Sequence, residues 1–228
     1  MAQGQKRRGD RNLRRRDWIN KPAAERIGIL GHRAFVGGTN PETWYGIGKM
    51  QYHWLVSQGL RPEHRFLDIA CGSLRLGQYL IPYLDRGCYF GLEPEPELVR
   101  SGLKEELLYD LATTKAPTFG HNYDFDFSFL EGYDYALAQS LLTHLDTDDI
   151  AKLLRNLRTV TSDGNVFFFT FFEGTGERNP KGPSHANKSW HYQFEELSDI
   201  AGDCGWAFAY IGDWNHKRGQ KMVKATLA

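Results

Sequence analysis

The sequence predicts an α/β fold in which an open, mostly parallel sheet has helices on both faces and ends in a C-terminal antiparallel hairpin. Three observations lead to this prediction. Short apolar runs alternate with amphipathic segments from residue 59 onward. The first of these runs leads directly into a glycine turn, Cys71-Gly72-Ser73. The last two runs, 206–214 and 220–227, follow each other with no helical segment between them, as the strands of a hairpin do.

Residues 1–17 form a basic arm ahead of this fold. They contain seven Lys and Arg residues and two Asp residues, a net charge of +5, which leaves −5 for the remainder because the whole chain is formally neutral. Such a block suits RNA, an acidic membrane surface or an anionic substrate, and it equally suits a solvated, disordered tail. No aromatic residue is interleaved with the charges before Trp18, and the sequence leaves both interpretations open.

Residues 18–58 are predicted to form a helical cap over the sheet. One helix is expected over Pro22–Leu30, and a longer one from Asn40 or Thr43 to about Gln58. The longer helix carries more aromatic side chains than one core-facing stripe needs. We therefore expect aromatic residues of the cap to line a ligand pocket, in particular Trp44 and Tyr45.

The first strand and the turn that follows it, Phe66–Gly77, predict a ligand-binding elbow. In an open parallel sheet this loop lies at the switch point, where a glycine and a helix N-terminus expose amide donors. A dinucleotide fingerprint would place a glycine at Leu74, and a phosphate-binding loop would place Lys and Ser or Thr at Gln78 and Tyr79. The carboxylate of Asp68 instead suits a ligand that carries an amine and a sulfonium cation.

The second strand ends at another acidic residue. Cys88–Val99 begins as a short apolar run and reaches Glu93, which lies 21 residues beyond Gly72. A carboxylate about 20 residues after the glycine turn can accept hydrogen bonds from both hydroxyls of a ribose. Glu95 and Glu97 belong to the start of the next helix, so Glu93 is the predicted ribose ligand.

The later elements follow the same alternation of strands and helices. Tyr133–Asp146 predicts a central buried strand that ends near Gln139 and Ser140, and Asn165–Glu173 predicts another. The polar segment Gly174–Ser189 is too long for a simple connection and predicts a mobile loop at the edge of the site. The remaining helices are predicted at 74–84, 97–111, 148–161 and 194–204.

The run Asp68-Ile69-Ala70-Cys71-Gly72 resembles the first motif of the class I S-adenosylmethionine (SAM)-dependent methyltransferases, an acidic residue followed by Gly-x-Gly-x-Gly with one residue between. Ala70 and Leu74 replace the first and third glycines, so we expect Ala70 to have a negative φ and the helix to begin away from the cofactor. The resemblance implies a Rossmann-like, seven-stranded sheet over residues 59–228 and SAM as the cofactor. It implies the cofactor-binding residues Asp68, Ala70, Cys71, Gly72, Leu74, Arg75, Glu93, Pro94, Asp126, Phe127, Gln139, Ser140 and Leu141.

The sequence offers two candidate pairs of residues for the adenine site. Asp126-Phe127 resembles the pair whose carboxylate accepts from the exocyclic amine of adenine. Asp124-Phe125, two residues earlier, forms an equivalent pair. The role of Arg75 is also open, because its guanidinium suits the carboxylate of the cofactor and equally a structural contact at the surface.

A finer resemblance is to bacterial small-molecule methyltransferases, through the segments Cys71–Arg75, Gln139–Leu145 and His216–Met222. It implies methyl transfer to an O- or N-nucleophile of a natural-product, sugar or lipid-like small molecule. A hydroxyl or ammonium acceptor needs a base, for which His144 is our first candidate and His191 our second, whereas a carboxylic acid needs none. The predicted substrate-binding residues are Trp44, Tyr45 and Tyr192.

Two other functions are weighed against this one. An RNA or protein methyltransferase could recruit its target through the basic arm, although Gln139-Ser140-Leu141-Leu142 differs from the Asn or Asp, Pro, Pro, aromatic tetrapeptide typical of amino-group methylation. Nucleic acid is therefore a possible partner but not the favoured one. A non-catalytic SAM-binding interaction protein is the second alternative, against which the intact Asp68, Gly72 and Glu93 argue.

Composition agrees with an intracellular globular enzyme. Of the 228 residues, 41% are hydrophobic, and no apolar run is long enough to span a bilayer or to act as a secretory signal, so we expect a cytoplasmic protein. The three cysteines show no Cys-x-x-Cys spacing, which argues against a disulfide framework and against a zinc site. The sequence does not predict an oligomeric state.

Overall fold

The computed structural model describes residues 21–228; the basic arm and residues 18–20 of the predicted helical cap lie outside the described residues. Within that range the strands are β1 (Phe66–Ile69), β2 (Tyr89–Leu92), β3 (Thr118–Gly120), β4 (Tyr135–Ala138), β5 (Val166–Glu173), β6 (His191–Tyr192), β7 (Trp206–Asp213) and β8 (Lys221–Leu227). Seven of them form a sheet in the order β3-β2-β1-β4-β5-β8-β7, and β6 pairs with β5 beside this path.

The sheet is parallel from β3 to β5 and antiparallel where β8 meets β5 and β7. Phe66 is in register with Tyr89 on one side and with Tyr135 on the other. The carboxyl ends of β1, β2 and β4 therefore meet at one edge, where parallel sheets bind ligands. The predicted Rossmann-like, mostly parallel seven-stranded sheet with its C-terminal hairpin is confirmed.

The helices of the described residues lie on both faces of the sheet and over its carboxyl edge. A π-helical turn, Glu42–Gly46, leads into the long helix of the cap, and a 3-10 turn, Leu142–His144, follows β4. The α-helices are α1 (Ala23–Leu30), α2 (His32–Phe35), α3 (Ile47–Ser57), α4 (Gly77–Tyr83), α5 (Pro96–Glu105), α6 (Leu111–Lys115), α7 (Thr147–Arg158) and α8 (Phe194–Asp203).

Several boundaries differ from the prediction. The helix expected from Leu74 begins only at Gly77, because the chain turns through residues 72–76 first. The helix expected to reach Leu111 ends at Glu105, and α6 is a separate short helix. The short elements α2, β3 and β6 are not predicted, because, unlike the equally short β1, β2 and β4, they do not lie in apolar runs.

Two apolar layers pack against the faces of the sheet. Alternate residues of β5 enter opposite layers: Phe167 and Phe169 pack with α7 and α8, whereas Phe168 packs with α3 and α4. This arrangement explains why β5 is an uninterrupted apolar run, since both of its faces are buried. Among the described residues, every helix is too short or too polar to cross a lipid bilayer.

Candidate active site

The turn after β1 has the backbone of a glycine motif at positions that are not all glycine. Ala70, Gly72 and Leu74 all have positive φ, at 59°, 55° and 62°. The expectation of a negative φ at Ala70 is therefore wrong. The left-handed conformation costs a side-chain-bearing residue about 1–2 kcal/mol, and for Leu74 the complete burial of its side chain against the core offsets that cost.

The glycine at position 72 allows the cap to approach the turn closely. A Cβ atom there would lie 3.1 Å from the Val36 side chain, which belongs to the cap and covers the turn. Cys71 is buried beside it, and burial, with the charges of Asp68 and Glu93, raises the pKa of its thiol well above the ordinary value. Cys71 is therefore a packing residue, because the reactive form of cysteine is the thiolate.

Glu93 links the ends of β2 and β1. Its carboxylate accepts from the backbone N–H of Gly72 at 3.0 Å and from that of Glu95 at 3.1 Å. Burial raises the pKa of Glu93 to about 7, against the effect of these two hydrogen bonds. Each oxygen keeps a free lone pair, and no ion pair to Glu93 forms within residues 21–228. A buried carboxylate with two free acceptor positions fits the diol of a ribose. Pro94, which follows Glu93, is half-buried.

Asp68 lies in the middle of β1 rather than in the turn. It is 5% exposed and accepts a hydrogen bond of 2.7 Å from the hydroxyl of Tyr89 on β2. Burial raises the pKa of Asp68 to about 7; the Tyr89 hydroxyl opposes the shift and the charge of Glu93 adds to it. The two carboxyl groups that the sequence singled out thus titrate in the same pH range.

The loop after β3 holds both candidate adenine pairs. The carboxylate of Asp124 forms an ion pair of 2.6 Å with Lys152, whereas that of Asp126 accepts from the backbone and hydroxyl of Ser128. Phe127 is buried, and Phe125 has a positive φ of 54°. Because Lys152 neutralises Asp124, the pair Asp126-Phe127 is the better candidate.

His121, the first residue after β3, contacts the ribose side of the site. One of its ring nitrogens, Nδ1, lies 2.8 Å from the carbonyl oxygen of Glu93 and donates to it, because a carbonyl only accepts. The sequence reasoning missed His121, since a strand of three residues gave no signal of where the loop begins.

A network of amides and hydroxyls follows β4. The Gln139 side chain donates to Gln220 at 3.0 Å and accepts from Gln51 of α3 at 3.0 Å. Gln220 in turn donates to the Ser140 hydroxyl at 2.8 Å and accepts from Thr170 of β5. The next residue, Leu141, is half-buried and packs against the core. The network joins the cap, the central strands and the hairpin at one place.

The two candidate bases have different surroundings. His144 Nδ1 donates to the carbonyl of Lys188 at 2.6 Å, which leaves Nε2 free to accept a proton. Burial lowers the pKa of His144, the Lys188 carbonyl opposes this shift, and the charges of Arg218 and His185 add to it. His191 is exposed on β6, with its ring stacked on Phe172. The structure therefore places His144, but not His191, in the segment that directly follows β4. This segment, Gln139–Leu145, is called the β4 exit below.

The loop 174–189, predicted as mobile, is hydrogen-bonded to the β4 exit. The backbone N–H of His185 donates to the carbonyl of His144 at 3.1 Å, and the Ser184 hydroxyl accepts from the N–H of Asp146 at 2.9 Å. Just beyond the loop, the N–H of Trp190 donates to the Thr143 carbonyl at 2.9 Å. These bonds anchor the second half of the loop beside His144 at the edge of the site.

The predicted substrate-binding residues differ in their exposure. Trp44 is 1% exposed and donates through Nε1 to Glu106 at 3.1 Å, so it holds the cap to α5. Tyr192 is also 1% exposed, and its hydroxyl donates to the Leu145 carbonyl. Both side chains are buried with satisfied polar groups, and their role in binding substrate stays a prediction. Tyr45 is 41% exposed and remains a candidate.

A buried glutamate fastens the cap over the glycine turn. Glu106 accepts two hydrogen bonds from the Arg33 guanidinium, at 2.6 and 2.9 Å, in addition to that from Trp44. His32 contacts the Ser73 hydroxyl of the turn at 2.5 Å. Arg75 donates to the carbonyl of Val36, and its Nε is buried with no partner within residues 21–228. The cap and the turn thus form one unit.

Four further polar residues of the site were not selected from the sequence as functional. Gln51, His216 and Gln220 are each at most 7% exposed, and Arg218 is exposed at the same edge. The segment that contains three of them, His216–Met222, was singled out only as part of a resemblance. A buried amide or histidine in a helix or hairpin turn has no sequence pattern that separates it from an exposed one.

Comparison with known proteins agrees with this geometry. Residues 67–167 match the family model of a methyltransferase domain. The crystal structure of magnesium protoporphyrin IX methyltransferase (ChlM) from Synechocystis PCC 6803 with bound SAM superposes with a TM-score of 0.62 at 19% identity, over 93% of this chain and 95% of that one. No curated protein matches the sequence.

Two further solved structures are similar. The complex of DhpI with S-adenosylhomocysteine (SAH) gives a TM-score of 0.64 at 15% identity, over 90% of this chain and 96% of that one. The glycopeptide N-methyltransferase MtfA complexed with SAM gives 0.62 at 12% identity, over 79% of this chain and 94% of that one. At such identities these likenesses establish the fold.

Proposed function

From the methyltransferase domain that residues 67–167 match, we propose that the protein transfers a methyl group from SAM to an oxygen or nitrogen atom of a small molecule. One observation carries this proposal. At the end of β2, the buried Glu93 carboxylate binds the Gly72 N–H and keeps free acceptor positions at the edge where parallel sheets bind ligands. We further propose that residues 18–58 act as the cap and 59–228 as the methyltransferase domain.

The chemistry of the edge supports SAM as the ligand. Glu93 would accept from the ribose hydroxyls, and Asp126 with Phe127 would hold the adenine. The unpartnered Nε of Arg75 would donate to the carboxylate of the amino-acid end. The backbone of the turn at residues 70–74 and the side chains after β4, from Gln139 to Leu141, would enclose the remainder. Val36 and the cap above it would exclude water from this region.

Bound SAM supplies an electrophilic methyl group on a sulfonium sulfur, which a nucleophile displaces in line. We propose that His144 is the base. Its Nε2 would take the proton of an acceptor hydroxyl as the oxygen attacks the methyl carbon. For an ammonium, Nε2 would take the proton first, and the freed nitrogen lone pair would then attack. In both cases the sulfur would leave with the electrons of its bond to the methyl carbon. The Lys188 carbonyl supports this role, because it holds the proton of the neutral ring on Nδ1. The lowered pKa supports it too, since the neutral form is the one present at pH 7.

The β4 exit favours a small-molecule acceptor over a nucleobase or an amide. The segment Gln139-Ser140-Leu141-Leu142 lacks the Pro-Pro-aromatic sequence typical of amino-group methylation, and the Gln139 side chain is held in a network with Gln220 and Gln51. We also take into account that ChlM and MtfA carry the names of methyltransferases acting on a porphyrin and a glycopeptide. These names suggest the class of the acceptor and not its identity.

The proposal is tested by labelled methyl transfer. Purified protein is incubated with SAM carrying a labelled methyl group and with separate pools of small metabolites, peptides and RNA. We expect labelled product in the small-molecule pool, and none from a Glu93→Gln variant. Product in the RNA or peptide pool alone would contradict the proposed acceptor. Tight SAM binding without product in any pool would favour the non-catalytic alternative.

A further inference from the structure

The turn between β7 and β8, residues 214–220, lies at the carboxyl edge of the sheet. The register places it there, because Lys221 pairs with Asp213 on one side and with Phe171 on the other. The hairpin therefore turns beside the end of β5 and next to the β4 exit. It brings to the site His216 and Arg218, neither of which takes part in the transfer proposed above.

Hydrogen bonds around Gln139 determine the protonation of His216. The Gln139 amide nitrogen donates to Gln220 at 3.0 Å and lies 3.4 Å from Nε2 of His216. Because an amide nitrogen has no lone pair to offer, Nε2 is the acceptor and the ring proton is on Nδ1. His216 is 7% exposed, its ring stacks on Trp214, and Nδ1 has no partner in the described part of the chain. A buried N–H without a partner is unfavourable, which points to a ligand atom that accepts from it.

The same place carries uncompensated positive charge. Arg75 donates to the carbonyl of Val36, and Arg218 to that of the next residue, Gly37, at 3.4 Å. Neither guanidinium forms an ion pair between residues 21 and 228. Burial, together with the charges of Arg218 and Arg75, lowers the pKa of His216 to about 4, so the ring stays neutral. Two neighbouring cations without a carboxylate favour an anionic ligand.

We infer that Arg218 and the Nδ1–H of His216 bind a carboxylate of the methyl acceptor, an inference that rests on the proposed methyl transfer. A guanidinium and an imidazole N–H together supply the donors that a planar carboxylate accepts. Both groups lie on the β4 and β5 side of the edge, close enough for the charge of Arg218 to affect the titration of His144. Glu93 lies at the end of β2, which is separated from β4 by β1.

The bound carboxylate serves recognition and is not the atom that receives the methyl group. Donation from Arg218 and His216 withdraws electron density from its oxygens and so lowers their nucleophilicity. The methyl group then goes to a hydroxyl or amine elsewhere in the same molecule. Gln51 Oε1, buried without a partner in the described residues, is an acceptor suited to that second group. The acceptor class is therefore a hydroxy or amino carboxylic acid.

The experiment measures fragment binding to the protein saturated with SAH, by ligand-observed NMR titration. The probes are benzoate, benzamide as its neutral isostere, and phenyl phosphate as an alternative anion. We expect benzoate to bind at least about fivefold more tightly than benzamide, and Arg218→Gln to weaken benzoate by about tenfold, the usual effect of losing a hydrogen bond to a charged group. His216→Phe keeps a ring on Trp214 but lacks the donor, and should weaken benzoate in the same direction.

Lys217→Gln is the matched control. It removes one positive charge at the neighbouring position, where Lys217 pairs with Glu42 of the cap, and should leave benzoate binding unchanged. SAH affinity should be the same in all variants. A tenfold loss of SAH affinity in Arg218→Gln would assign the carboxylate to the cofactor instead and overturn the inference. Equal binding of benzoate and benzamide, or preference for phenyl phosphate, would also overturn it. A wild-type protein that does not bind SAH would contradict the proposed function itself.

Discussion

At the residue scale, the most informative feature is the pair of buried carboxyl groups, Asp68 and Glu93, whose pKa values are both raised to about 7. Neither forms an ion pair in residues 21–228, so each depends on hydrogen bonds alone when it ionises. A site for a ligand with a positive sulfonium and a diol benefits from ionised carboxylates, whereas the folded protein without ligand favours the protonated form. Binding and folding therefore have opposite pH dependence at these residues.

We expect SAH binding to strengthen with pH. Glu93 must be ionised to accept from both ribose hydroxyls, and with a pKa of about 7 it is mostly protonated at pH 6 and mostly ionised at pH 8. Affinity measured by calorimetry should rise roughly tenfold over this range. Glu93→Gln should bind weakly with no such rise, whereas the control Glu97→Gln, in the first turn of α5 and paired with Arg100, should behave as wild type. A pH-independent wild type would contradict the ribose role.

Asp68→Asn should stabilise the protein at high pH. The folded pKa of about 7 is above the ordinary 3.8, so the contribution of Asp68 to stability is fully present below about pH 4 and is lost as the pH rises through 7. Asn keeps the acceptor for Tyr89 and does not titrate. The unfolding free energy of Asp68→Asn, relative to that of the wild type, should therefore increase by roughly 2–3 kcal/mol between pH 5 and pH 8. Urea denaturation measures this, with the exposed Asp163→Asn as the control. An advantage that is the same at both pH values would contradict the assignment.

His144→Ala tests the proposed base. With an acceptor identified, we expect kcat to fall by about 100-fold or more, the usual range for a general base, while SAH affinity stays unchanged. His191→Gln provides the comparison, because His191 is exposed on β6 and its ring is stacked on Phe172. We expect it to retain most of its activity. Unchanged turnover in His144→Ala would remove this histidine from the mechanism and favour an acceptor that needs no deprotonation.

At the scale of elements, one buried carboxylate of the following fold contacts two separate parts of the cap. Glu106, just after α5, has a side chain only 2% exposed and binds Arg33 and Trp44 from two separate parts of the cap. The neighbouring Glu105 has a side chain 54% exposed and contacts only His32. Removing one partner of a buried charged pair costs far more than removing an exposed one. The docking of the cap is therefore concentrated at Glu106.

Glu106→Gln should loosen the cap without unfolding the sheet. Hydrogen exchange followed by mass spectrometry should show protection in residues 23–46 falling by about 10–100-fold, with little change in β4 and β5. Glu105→Gln at the adjacent position should leave the protection of the cap almost intact. Equal effects of the two substitutions, or a uniform loss of protection over the whole chain, would show that Glu106 does not specifically hold the cap against the sheet.

The elements also show where sequence reasoning succeeds and where it cannot. Asp68, Gly72 and Glu93 were selected because strands with clear apolar runs end beside them, and ends of parallel strands share an edge. Gln51 and His216 were not selected as site residues, because their contacts with Gln139 span 88 and 77 residues and leave no local pattern. The burial of Trp44 and Tyr192, each 1% exposed, could not be predicted either, because aromatic character does not distinguish a core residue from an exposed one.

At the scale of the whole molecule, the proposed ligand bridges parts that are distant in the chain. The cap, the ends of β1 and β2, the β4 exit and the hairpin turn all reach the same edge. Ligand binding to the folded form alone at about 100 times Kd adds about 2.7 kcal/mol to stability. SAH should therefore raise the melting temperature by roughly 5–10 °C. Thermal denaturation with adenosine alone is the control, and no shift with SAH would contradict the proposed site.

The positive φ values at residues 70, 72 and 74 bear on how relatives of this chain can be found. The conformation recurs at every second position, yet only one of the three residues is glycine. A survey that requires spaced glycines would pass over this protein, whereas one that compares backbone dihedral angles would include it. Leu74 shows how such divergence is tolerated, because a buried side chain compensates for an unfavourable backbone. The backbone conformation of the turn can therefore be kept although two of the glycines that normally define the motif are replaced.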